Sequence, residues 1–110
     1  MQAFELADLL AQRQVAGGPW LEFLRTASLS VGLYELAAGA VDPPQPHSQD
    51  EVYFVLQGEG MIDVAGEDRA VKHGSLIFVV ANVPHRFHSI IDDLRVLVFC
   101  APAEGSQSTA

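Results

Sequence analysis

Two histidines and a glutamate, His47, Glu51 and His85, are spaced so that they could share one ion. Gln45 stands two residues before His47, so in extended chain both side chains point the same way. Glu51 opens the strand after a tight turn, and His85 opens another strand after the segment Ala81 to Pro84. An imidazole pair, a carboxylate and an amide oxygen form a mixed nitrogen and oxygen set. Such sets suit a divalent Mn, Fe, Co, Ni or Zn ion. Tyr53 lies two residues after Glu51, on the same face. It either presents its hydroxyl to a ligand or simply packs inside the fold.

Taken singly, these residues read as structural. A histidine on a strand is ordinarily a satisfied core or surface residue, and a lone strand glutamate is ordinarily solvated. Only together, converging inside a barrel, could they hold a metal. His88 alternates to the face opposite His85, as a surface or interface residue, and His73 sits in an exposed turn. Phe87 shares the face of His85, and Arg86 points outward. Val55, Phe78 and Phe87 are expected to give the ion an apolar surround. Cys100 has no base beside it in sequence and reads as a small buried hydrophobe. Asp42, Asp50, Glu59, Asp63, Glu67 and Asp68 read as a solvated rim. Gly58-Glu59-Gly60 lacks the strand-to-helix context of a phosphate loop and reads as a turn.

The elements that must position these groups are mostly short strands. The pattern predicts strands over 20–25, 29–36, 52–56, 61–64, 70–72, 76–79, 85–89 and 94–99, broken by turn residues. Strands of this length and spacing indicate an all-β antiparallel sandwich or barrel. No helix alternates with them, which argues against a doubly wound sheet. A short amphipathic helix is expected over 4–14, ended by Gly17-Gly18-Pro19. The expected organisation is a helix and linker over 1–18, the β domain over 19–101 and a frayed polar tail over 102–110.

Composition narrows the function classes. The chain has 110 residues, enough for one domain that buries roughly two-thirds of its unfolded surface. Fourteen acidic residues against six basic ones give a net charge of −8. That balance disfavours nucleic acid and anionic membrane surfaces as partners. No apolar run is long enough to span a bilayer, and the N-terminus has acids where a secretory signal has bases. A single cysteine forms no internal disulfide and fits a reducing, cytoplasmic location.

At the stretch from Gly39 to Gly58 the sequence resembles the cupin superfamily. The family's first motif is glycine, five residues, His-x-His, three or four residues, glutamate, six residues, glycine. Gly39, His47, Glu51 and Gly58 match, and Gln45 stands at the first histidine. In the second motif Gly74 and His85 match, while Val80, Asn82 and Ser89 replace the proline, glycine and asparagine. The resemblance covers residues 20 to 100 and implies a cupin-type double-stranded β-helix, a jelly-roll barrel with inward-pointing ligands. It implies a metal held by Gln45, His47, Glu51 and His85, and a homodimer in which the helix over 4–14 and the strand over 20–25 contact the partner subunit.

Three roles for Gln45 follow. It ligates through its oxygen, or it holds a metal-bound water beside a His47–Glu51–His85 facial triad, or the site has lost its metal. The resulting expectation is a metal-dependent enzyme acting on a small organic molecule. Iron on the triad points to a dioxygenase, and Zn, Mn or Ni to an isomerase, lyase or cyclase, with Tyr53 or a metal-bound hydroxide as proton carrier. The alternative is a non-catalytic or structural cupin that binds a small ligand.

Overall fold

A computed structural model describes residues 1–43 and 47–105. One helix, α1 (Leu6–Ala16), precedes six strands. These are β1 (Trp20–Arg25), β2 (Ser30–Leu36), β3 (Asp50–Val64), β4 (Glu67–Lys72), β5 (Leu76–Val79) and β6 (His85–Ala101). All pairings are antiparallel, in the order β1-β2-β6-β3-β4, with β5 on the free flank of β3.

The long strands β3 and β6 organise the barrel, and they replace four of the eight expected strands. Alternation explains how. On β3 the buried positions are Glu51, Tyr53 and Val55, then Gly58, Gly60 and Ile62. On β6 they are His85 and Phe87, then Ile90, then Leu94, Val96, Val98 and Cys100. Each strand changes parity midway, which requires an extra residue and hence a bulge. The β3–β6 register shifts between Val55 and Met61, where those bulges lie. Gly58-Glu59-Gly60 and Asp92-Asp93 are therefore bends within strands, not turns. Gly58 is confined to glycine there: its φ is +100°, and a β-carbon would sit 2.1 Å from the Asp93 carbonyl oxygen.

The bends let each long strand serve two parts of the barrel. The first half of β3 lies between β5 and the end of β6, so Glu51 faces Val79 and Cys100. Its second half lies between β4 and the start of β6, with Ile62 opposite Phe87. Leu33, Val55, Ile62, Phe87, Leu94 and Val96 are essentially sealed from solvent. Truncating a sealed phenylalanine such as Phe87 typically costs about 3–5 kcal/mol.

Two further expectations fail. Phe78 does not line the interior: β5 turns Val79 inward, and Phe78 is 62% exposed. The helix begins at Leu6, leaves Phe4 outside it and buries only Leu9 of its residues. Phe4 packs edge-on to Phe23 of β1, with ring centroids 5.1 Å apart. Among the described residues no helix is long and apolar enough to cross a membrane.

Candidate metal centre

Extended backbone at the start of β3 turns Glu51 and Tyr53 into the barrel two residues apart. His85, the first residue of β6, enters from the other long strand. His47 arrives from the loop before β3, and its main-chain carbonyl accepts a hydrogen bond from Asn82 N at 2.6 Å. One ligand atom from each of His47, Glu51 and His85 lies within 4.8 Å of the others. Glu51 Oε1 is 3.2 Å from His85 Nε2 and 3.9 Å from His47 Nε2. Gln45 lies outside the described residues.

The donor set fits a cation. His85 Nδ1 lies 2.8 Å from the Val83 carbonyl, which can only accept, so Nδ1 carries the ring proton of the neutral form. Nε2 then presents a lone pair toward the cavity. Facing it is Glu51 Oε1, which is buried and has no hydrogen-bond donor. Two acceptors 3.2 Å apart in a water-poor barrel need a proton or a metal between them. Two cis ligands ~2.1 Å from one ion are ~3.0 Å apart, so this pair already has a metal-ligand separation. A backbone carbonyl orienting a ligating imidazole is also the usual outer-shell arrangement.

Tyr53 sits against this pair. Its hydroxyl is 2.8 Å from His85 Nε2 and 3.2 Å from Glu51 Oε2, and it can donate to one of them at a time. Burial, reinforced by the Glu51 charge, pushes the Tyr53 hydroxyl far above the usual phenol range. It is a donor here, not a base. Burial alone would lower the pKa of His85, but the hydrogen bonds its protonated ring would make to Glu51 and Val83 outweigh that and raise it. Cys100 directs its thiol at Glu51 Oε2, 3.7 Å away. Burial and the same carboxylate push it up to about 12.

A cavity of about 180 Å³ opens over these groups, small against the several hundred Å³ typical of drug-sized ligands. Three of its walls were not legible as site residues. Asp42, expected on a solvated rim, is half-buried. Its Oδ1 accepts from the Tyr34 hydroxyl at 2.7 Å and its Oδ2 from Phe87 N at 2.9 Å. A carboxylate held by a half-buried phenol and a main-chain amide is a fixed wall, not a rim. Trp20 at the head of β1 lies across Gly32, edge-on to Tyr34 with ring centroids 6.3 Å apart. Glu104 follows β6 and is tied back by its own N–H to Ser30 Oγ at 2.8 Å. Burial raises its carboxyl above the ordinary value, against the lowering pull of His47.

The remaining candidates fall where alternation puts them. His88 is half-buried on the other face, 2.7 Å from Asp68 Oδ1. Arg86 and His73 are exposed.

Comparison with known proteins gives a match to the family model described as a cupin domain, over residues 32–101. An uncharacterized protein of Streptomyces coelicolor is 50% identical over 104 residues, covering 94% of this chain and 99% of the relative. Among solved structures, a cupin family protein with a double-stranded β-helix fold from Methanocaldococcus jannaschii superposes with a TM-score of 0.70. It is 20% identical and covers 76% of this chain and 78% of its own. The DMSP lyase DddQ of Ruegeria pomeroyi superposes with a TM-score of 0.67 at 27% identity, covering 77% of this chain and 42% of the lyase.

Proposed function

This chain belongs to the cupin family, and from that premise we propose that it is a metal-dependent enzyme acting on a small organic molecule. The observation that carries the reading is the buried Glu51 Oε1, without a donor and 3.2 Å from the lone pair of His85. In this reading His47, Glu51 and His85 hold one divalent transition metal ion. On the motif spacing, Gln45 completes the set as a ligand or as the partner of a bound water. A bound divalent ion supplies Lewis acidity toward an oxygen of the substrate.

The chain's own residues do the rest. Val83 fixes the ring of His85. Asp42 anchors the loop before the site to β6 through Phe87 N. Tyr53, protonated at neutral pH, donates to Glu51 when His85 Nε2 is engaged, and otherwise offers a hydrogen-bond donor to a substrate oxygen in the cavity it lines. The lyase among the solved relatives favours eliminative or isomerising chemistry over dioxygen chemistry. In this reading the protein is a homodimer, with α1 and β1 against the partner, which would cover the exposed Phe4 and Leu6.

Elemental analysis of protein purified without an affinity tag tests the metal. One transition-metal ion per chain is expected, lost in His85→Ala and His47→Ala. A wild-type protein without metal after reconstitution would overturn the reading. Turnover on a panel of small oxygen-bearing substrates then separates an enzyme from a binding protein. Tight retention of one ligand without conversion would identify the latter.

A further inference from the structure

We propose that the organic ligand of this cavity carries a positively charged, ammonium-type group. The inference rests on reading the cavity as a substrate site and adds the charge of what enters it. Its wall brings together three carboxylates, Asp42, Glu51 and Glu104, and three aromatic rings, Trp20, Tyr34 and Tyr53. No lysine or arginine stands among its described lining residues.

The chain has six basic side chains, and all are engaged or turned elsewhere. Arg13 and Arg95 pair with Glu35. Arg25 reaches Glu22 and the main-chain oxygen of Glu104, binding that residue's backbone and not its carboxylate. Arg69, Lys72 and Arg86 are exposed on strands. An oxyanion entering the cavity would meet three carboxylates beyond the ion, with the guanidinium of Arg25 held outside the lining at the main chain of Glu104. Even a divalent ion leaves the three carboxylates one negative charge in excess.

The wall is built to receive something. Glu51 is 3% exposed, lines the cavity and has one oxygen without a partner. Trp20 rests on Gly32, where any side chain would displace the indole: an added β-carbon would lie 2.0 Å from its ring. Aromatic faces attract cations, most strongly for tryptophan, and the attraction grows once water is excluded. Carboxylates beside those rings add to it at short range. The cavity volume limits the cation to a compact one.

Isosteric probes test this on the metal-loaded full chain. Tetramethylammonium, tert-butanol and pivalate have nearly the same shape and differ in charge. Trp20 is the only tryptophan, so its fluorescence reports the cavity, and ring-current shifts of the probe's methyl protons report it independently. Saturable binding of tetramethylammonium is expected, with tert-butanol and pivalate weaker by about tenfold or more. Glu104→Gln should weaken tetramethylammonium several-fold and leave pivalate no weaker, with the metal content unchanged. Pivalate binding as tightly as the cation, no saturable cation binding, or indifference of the cation to Glu104→Gln each overturns the inference. Metal content measured on the same samples keeps the two readings apart. A chain that binds the cation but no metal loses the enzyme reading alone, and one that holds the metal but prefers pivalate loses the cation alone.

Discussion

Replacing Gly32 with alanine perturbs the cavity wall through one methyl group. The new β-carbon would lie 2.0, 2.4 and 2.6 Å from three carbons of the Trp20 benzo ring. Those separations are far inside van der Waals contact, so the indole must swing away. Gly32 is buried in β2 opposite Glu22, and its backbone is fixed by pairing with both β1 and β6. Overpacking of this kind costs about 1–3 kcal/mol. Alanine recovers part of it, because glycine in a strand is about 0.5–1 kcal/mol less favourable. A net loss of roughly 1–2 kcal/mol should lower the melting temperature by about 5–10 °C. The Trp20 emission should shift to the red as the ring meets water, and compact cavity ligands should bind more weakly. Metal content should hold, since Gly32 pairs with Glu22 and Val98 and not with His47, Glu51 or His85. Differential scanning fluorimetry with emission spectra reads all but the last. An unchanged spectrum and an unchanged melting temperature would refute the account of Trp20 as a wall held in place by the absent side chain.

Three other outcomes follow from the same structure. Gly58→Ala should destabilise the fold more than Gly32→Ala, because a left-handed φ and the Asp93 carbonyl oppose it and no flexible side chain can yield; chemical denaturation measures the order. Metal affinity should fall as pH drops below neutrality: a proton on Nε2, which the raised pKa of His85 favours, competes with the ion, so binding releases protons. Calorimetry in buffers of different ionisation enthalpy detects that release, and its absence near neutral pH would contradict the orientation of His85. Cys100, buried and with its thiol pushed up to about 12, should resist iodoacetamide in the native protein at about pH 8 and react fully after denaturation, as followed by mass spectrometry.

Motif spacing made the convergence of three side chains legible. His47, Glu51 and His85 come together from a loop and two strands, as their positions implied. Period-2 alternation likewise put Tyr53 beside Glu51 and sent Arg86 and His88 away. The same rule failed where it was extended through irregularities. Glycines and paired aspartates ordinarily punctuate strands, but here they sit at bulges that carry β3 and β6 onward with the opposite parity. Phe78 misled because apolar character does not fix a face on a four-residue edge strand. Asp42 and Glu104 could not be read as cavity walls. Their neighbours Tyr34, Phe87 and Ser30 are distant in sequence and are brought to them only by the closed barrel.

In the proposed reading His47, Glu51 and His85 bind one ion together. Anomalous diffraction from a crystal of the metal-loaded chain, collected at the metal's absorption edge, addresses it directly. One peak about 2.0–2.3 Å from a nitrogen of each imidazole and from a Glu51 oxygen is the expected result. A peak elsewhere, or an ion that leaves Glu51 Oε1 untouched, would contradict the claim.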